Sequence, residues 1–332
     1  MNDFLMVRSR RRATGLLAQG ARTASEGLLS SSLALTQYPG FGAPGATDRH
    51  SFGLGFQPDF LLTKSLNSSS DAFRLLDSVR GVSRDFNIVN SETELSYLLG
   101  NPIAFHSNGY TANAISGYSA ASGSFLSLAL RRSIATGLDI VTYNGTGALQ
   151  TIPHNLGVAP AAIWVKSREY NEPWTIYSAQ LDTPGTQALS ISSSAAVTTA
   201  TTFWGSTTAT STGFTVGTNS RTNFNFDPYI AYVFAPTSNV FAAGRYSGTG
   251  VAQSIAVGFQ PRLVIIKRVN ASGSWIVFNA LRGGSSHLTL ESAISETITS
   301  GLSIVFQANG FQVSTNTQIN ASGGSYLWWA WA

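Results

Sequence analysis

The lysines of this chain fix its architecture before any strand is assigned. There are three, Lys64, Lys166 and Lys267, and each lies six residues beyond the proline of a Gly-x-x-Pro: Gly55 to Pro58, Gly157 to Pro160, Gly258 to Pro261. Those glycines stand 102 and 101 residues apart. A period that regular makes the chain one module of about 100 residues used three times, and such periods are sought before any fold is assigned. Other positions keep the register. A glycine-aromatic pair recurs at Gly109-Tyr110, Gly213-Phe214 and Gly310-Phe311, and sixteen residues after each glycine an aromatic opens an apolar run, at Phe125, Tyr229 and Tyr326. Trp174 and Trp275 stand at equal distances beyond Gly157 and Gly258, the first glycines of their modules. Modules two and three open alike, with Tyr143-Asn144-Gly145-Thr146-Gly147 before Gln150 and Tyr246-Ser247-Gly248-Thr249-Gly250 before Gln253. Module one lacks that opening and the tryptophan, so it is the divergent copy. It shares Asp77-Ser78-Val79-Arg80-Gly81 with Asn279-Ala280-Leu281-Arg282-Gly283 of module three.

Each module reads as β-structure. Ala162–Lys166, Trp174–Tyr177, Leu263–Ile266 and Trp275–Phe278 are short and rich in β-branched and aromatic residues, as strands require. Gly, Ser, Asn and Pro clusters between them supply turns. The expected fold is all-β: three tandem β-sandwich, jelly-roll-like modules at 35–134, 137–236 and 240–332. Residues 1–34 read as a basic arm with one or two short helices. Thr23-Ala24-Ser25-Glu26 has capping-box spacing ahead of Leu28-Leu29.

Composition narrows function. With no cysteine there is no disulfide, thiolate metal site or cysteine nucleophile. Charged residues make up 11%, against the usual quarter, and Ser, Thr, Asn and Gly fill the surface instead. Such a surface suits close packing against other chains. The net charge is +4, and the one dense basic cluster is Arg8, Arg10, Arg11 and Arg12. Nucleic acid is therefore not an expected partner. No apolar run approaches the length that a membrane-spanning helix needs, so no membrane insertion is expected.

Three groups of residues are candidates for a site. Lys166 lies eight residues before Trp174, and Lys267 eight before Trp275. In one hairpin register each lysine faces its tryptophan across the strands, and the pair could form a cation–π platform for a sugar or anion. A lysine whose stem covers apolar surface is the structural alternative. In Tyr326–Ala332, alternation puts Tyr326, Trp328 and Ala330 on one face and Leu327, Trp329 and Trp331 on the other. Trp328 is a core residue, and Trp329 or Trp331 is a candidate interface residue. The Arg80-Gly81 and Arg282-Gly283 pairs read as turns whose arginine bonds backbone carbonyls. The four histidines, His50, His106, His154 and His287, are isolated and form no metal motif. The carboxylates do not recur in register, and Glu92 with Glu94 and Glu169 with Glu172 read as solvated charges. No cofactor and no catalytic residue is expected.

The assembled pattern resembles a family of repeated domains in structural proteins of tailed bacteriophages, of the tail-fibre and tail type. The residues that carry it are Gly55–Phe60, Lys64, Leu76–Gly81 and Asn108–Tyr110; Ile152–Gly157, Pro160, Ile163–Lys166 and Trp174; and Gly258–Pro261, Ile266-Lys267, Trp275, Asn309–Phe311 and Gly324–Trp331. The resemblance covers roughly residues 50–332, leaves out the N-terminal arm and implies a non-enzymatic virion component. The leading expectation is a tail fibre or tail-tip protein anchored to the particle by its basic arm, with Arg8, Arg10, Arg11 and Arg12. It implies homo-oligomers, trimers among them, contact with other virion proteins, and contact with host surface glycan. A capsid decoration or head-fibre protein is the alternative on the particle, and a surface-polysaccharide depolymerase the alternative of another class.

Overall fold

The apolar runs of the sequence become strands, all of them paired antiparallel. The structure, a computed structural model, describes residues 26–29, 32–40, 49–89, 91–97, 102–113, 118 and 123–332. One strand order is laid down three times. An opening strand (Leu33–Pro39, Leu138–Asn144, Phe241–Ser247) pairs with the module's closing strand (Ser124–Leu130, Pro228–Phe234, Ser325–Trp331). The closing strand pairs with the lysine strand (Phe60–Ser65, Ala162–Ser167, Leu263–Arg268). The lysine strand then turns back into a hairpin mate at Arg74–Asp77, Thr175–Ser178 or Trp275–Asn279. A smaller sheet covers this larger one, built on the pairs Arg49–Gly53 with Gly109–Asn113, Gln150–Pro153 with Gly213–Val216, and Gln253–Ala256 with Gly310–Val313. The Gly-x-x-Pro glycines turn the chain from the small sheet into the large one. Gly55, Gly157 and Gly258 have φ of +82°, +71° and +100°, a region costly for any residue with a Cβ.

One expectation fails at the N-terminal boundary. Glu26–Leu29 is not a helix. It is a strand at the edge of the first large sheet, paired with Leu33–Pro39. The apolar residues that follow the capping-box spacing find a ladder partner next to them; the rest of the expected helical arm, residues 1–25, lies outside the described residues.

The two faces of each large sheet bury against different partners. Alternation sends one set of side chains toward the module's own small sheet. Tyr326, Trp328 and Ala330 join Phe311 and Val313 there; Ile163, Val165, Tyr229 and Val233 join Phe214; Leu61, Leu76 and Phe125 join Phe52 and Tyr110. The other set meets in a single core shared by all three modules, among them Phe60, Leu62 and Leu128, then Trp164, Trp174 and Tyr232, then Ile265, Trp275, Trp329 and Trp331. Trp329 lies 5.3 Å from Trp164 and 5.0 Å from Trp275. Trp331 lies 6.0 Å from Phe234, and Phe60 lies 5.5 Å from Tyr232. The modules are therefore not beads on a string that each bury their own surface.

This shared core leaves polar atoms behind. The indole N–H groups of Trp164, Trp174, Trp329 and Trp331 meet no acceptor among the described residues. A buried donor without a partner costs about 1–3 kcal/mol. Burying about 200 Å² of ring returns about 5 kcal/mol at about 25 cal/mol per Å², so packing wins at each position.

Candidate functional site

The recurring lysine closes a ring of clasps. All three lysines are buried, and each ammonium donates to one or two carbonyls of its own hairpin loop and to one carbonyl of a neighbouring module. Lys64 bonds Asp71 O at 2.5 Å and Ala293 O of module three at 3.0 Å. Lys166 bonds Glu172 O at 2.8 Å and Ser91 O of module one at 3.1 Å. Lys267 bonds Gly273 O at 2.5 Å and Ser194 O of module two at 2.9 Å. Three residues beyond each of those neighbouring carbonyls, a backbone N–H reaches back to the carbonyl two residues past the lysine. These returns are Glu296 to Leu66 at 2.8 Å, Glu94 to Arg168 at 3.1 Å and Val197 to Val269 at 3.0 Å. Module one thus holds two, two holds three, and three holds one. Burial pulls each lysine pKa down to about 8, with the carboxylates of Asp71, of Asp227 and Glu172, and of Glu291 pulling back.

Where module one holds module two, the clasp also carries charge. Glu94 accepts from Arg168 Nε at 3.0 Å and Nη2 at 3.2 Å, from Arg80 Nη1 at 3.3 Å and from Arg84. Burial raises its pKa, but Arg168, Arg84 and Arg80 together hold it below the usual carboxylate range. Arg80 is itself fixed by Asp77 Oδ2 at 2.5 Å and Leu75 O at 3.1 Å, and its guanidinium lies 4.0 Å from the Phe86 ring centroid. Across the module boundary, the Tyr232 hydroxyl donates to Asp77 Oδ2 at 2.6 Å. Arg84, Thr93, Glu94, Ser96, Arg168, Glu169 and Pro228 line an open cleft of about 520 Å³ beside this hub. The matching boundaries lack the set. Leu66 and Val269 occupy the position of Arg168, and Val197 that of Glu94. Arg282 with Glu296, at 2.7 Å, repeats the Arg80–Glu94 pair alone, so this one carboxylate does recur in register, against the expectation that none would.

The expected platform does not form. Trp174 and Trp275 are buried with their lysines, so neither indole offers a face to a ligand. Lys267 does pair with Trp275 across the ladder, and its ammonium lies 5.7 Å from that ring. Lys166 instead lies 5.8 Å from the ring of Phe86 in module one, and that ring meets Trp174 edge to face at 5.2 Å. Trp329 and Trp331, the candidates for contact with another subunit, are instead both buried in the core that the three modules of this one chain share. Glu94 is a correction too: its side chain is 4% exposed, not a solvated charge. Spacing could not show this, since its partners Arg80, Arg84 and Arg168 come from two modules and share no local motif. Arg80 bonds a backbone carbonyl as expected, and two carboxylates as well. His106, His154 and His287 bond Thr111, the Thr210 carbonyl and Thr297. Among the described residues no group of side chains could hold a metal ion, and no helix is long and apolar enough to cross a membrane. Arg8, Arg10, Arg11 and Arg12 lie outside the described residues.

Fold and clasps together define an all-β protein of three like repeats closed around a common core. The chain belongs to the family described as Domain of unknown function (DUF7483), whose model matches residues 35–332. A single family model thus spans all three repeats, as a shared core leads one to expect. No curated protein matches the chain.

Proposed function

We propose that this chain is a structural and adhesive component of a tailed-phage virion, in the tail fibre or tail tip, joined to the particle by its N-terminal arm. The observation that carries the reading is the inward use of the recurring polar residues. The lysines close clasps between modules, and Asn223 and Asn320 hold turns. Repetition here builds a rigid body, and the charge-poor, hydroxyl-rich exterior is left for packing against neighbours. Copies would assemble with the symmetry of the particle. A depolymerase would need a carboxylic acid able to donate a proton; Glu94, kept ionised by three guanidiniums, does not fit that role in the charged cleft. Antibody raised against this chain is expected to label tails of intact particles in electron micrographs. Labelling of neither tail nor head ends the virion reading. Deleting residues 1–34 is expected to leave a folded body that no longer incorporates.

A head location is the second reading, and the closed ring favours it. All three lysine clasps are satisfied within one chain, so the body completes its core without other copies, as a decoration protein would before docking. A monomer by sedimentation together with head labelling supports that reading. A detergent-resistant trimer supports the fibre.

A further inference from the structure

The turn before the closing strand differs sharply between modules two and three. Phe226, three residues before Tyr229, has φ +65°; Gly323, three before Tyr326, has φ +71°. The backbone is the same, but module two places a phenylalanine where a Cβ crowds the following carbonyl oxygen. That phenylalanine is 86% exposed, so no packing offsets the strain. A second exposed aromatic, Phe224, lies two residues before it in the chain. Phe224 and Tyr170, both about half exposed, contact each other edge to face at 5.2 Å. Module three has Ala321 and Ala271 at these positions. A strained, exposed aromatic where the sister module keeps glycine is the kind of outlier that marks a functional surface.

The cluster borders the charged cleft. Tyr170 directly follows Glu169, Phe226 stands two residues before Pro228, and both Glu169 and Pro228 line the cleft. The cleft's two guanidiniums, Arg84 and Arg168, are matched by two carboxylates, Glu94 and Glu169, so it favours neither a phosphate nor a basic peptide. Glu94, Arg84 and Arg168 are planar, adjacent and held by one another, which suits pairs of neighbouring hydroxyls. The residues near its lining in the chain include the exposed aromatics Tyr170 and Phe226, which suits the C–H face of a ring. Its volume of about 520 Å³ lies within the range of small-molecule sites.

We propose that this cleft, with the neighbouring aromatics Tyr170, Phe224 and Phe226, binds a neutral saccharide. The proposal rests on the virion reading only for the source of the sugar, a host surface glycan; the chemistry of the site stands without it. The test is a glycan array of neutral hexose and N-acetylhexosamine oligosaccharides probed with the full chain, then calorimetry on the retained sugars. At least one is expected to bind. Tyr170→Ala and Phe226→Gly are each expected to weaken binding by about tenfold or more, about 1.4 kcal/mol. Phe226→Gly should at the same time raise the melting temperature by about 2–4 °C. That opposite movement separates a binding role from a structural one. The proposal is overturned if no sugar is retained, if both variants bind like the parent, or if the chain prefers vesicles of anionic phospholipid to every sugar. Sugar binding without particle labelling defeats the virion reading alone, and labelling without sugar binding defeats this site alone.

Discussion

Modules two and three are near-duplicates inside and unlike at one tip. In both, a buried asparagine ends a short helical turn and ties the module's opening to its end. Asn223 Oδ1 accepts from Thr146 N and Gln150 Nε2 at 2.8 and 2.9 Å; Asn320 Oδ1 accepts from Thr249 N and Gln253 Nε2 at 2.9 and 2.8 Å. Each amide nitrogen then donates to two carbonyls, those of Ala148 and Gly217 or of Val251 and Ser314. Tyr143 stacks on Tyr229 at 5.2 Å, and Tyr246 on Tyr326 at 5.0 Å. Against that sameness stand Tyr170, Phe224 and Phe226 in place of Ala271, Ala321 and Gly323. Where two copies keep a network atom for atom, folding demands it. Where they diverge at an exposed and strained position, stability does not account for the larger residue.

The asparagines should break this comparison most loudly if it is wrong. Asn223→Ala and Asn320→Ala each strand two carbonyls and a backbone N–H, at about 1–3 kcal/mol apiece. Each variant is expected to lose about 3–6 kcal/mol in urea denaturation, and the two losses should agree within about 1 kcal/mol. A loss in one repeat less than half that in the other would show that the networks are not equivalent.

The lysine clasps come next in size. Lys166→Met and Lys267→Met keep the apolar stem but strand carbonyls that bonded a charged donor, an expected loss of about 2–4 kcal/mol. Hydrogen exchange should localise it, with the amide of Glu94 losing protection in the first variant and that of Val197 in the second. Exchange that rises evenly over the whole chain would mean the clasp has no local identity. The pH response has a definite sign. Folded lysines with pKa about 8 bind fewer protons than unfolded ones, near 10.4, between those two values. Stability contributed by these groups therefore rises with pH from about 8 to about 10.4, and it is lost again as pH falls back across that window. In the triple variant Lys64→Met, Lys166→Met, Lys267→Met, melting temperatures should lose this rise. A parent whose stability falls steadily over the same window would contradict lysines depressed by burial.

Much of this was legible in the residues. The period came from glycines that need a left-handed backbone and from a lysine that needs a cage, two requirements that recur because the geometry recurs. The alternation of Tyr326–Trp331 correctly separated Trp328 from Trp329 and Trp331. What that second face met was not legible. Period-two patterning shows that both faces are dry and is silent on whether a module of the same chain or another copy covers one. The charged cleft was hidden for a related reason: Glu94 and Arg168 belong to different modules, and only the docking of module one on module two brings them together. Phe226 left no mark as a single letter. It becomes informative only when its φ is set beside that of Gly323.

The smallest expected effect is the most pointed, because it moves the tip from one repeat to the other. A Cβ added at Gly323 meets nothing within 4 Å, so the first atom of a Gly323→Phe side chain meets no clash and the expected cost is that of the backbone. The expected loss is about 1–2 kcal/mol, a drop of a few degrees in melting temperature. Phe226→Gly should gain a comparable amount, and the double variant should sit near the parent, since distant sites add. A Gly323→Phe variant as stable as the parent would show that this turn tolerates phenylalanine freely. Phe226 would then carry no strain, and its exposure alone would have to support a binding role. A full loss in module three, without saccharide binding there, would instead show that the aromatic tip works only beside the Arg84–Glu94–Arg168 cleft, which module two meets and module three does not.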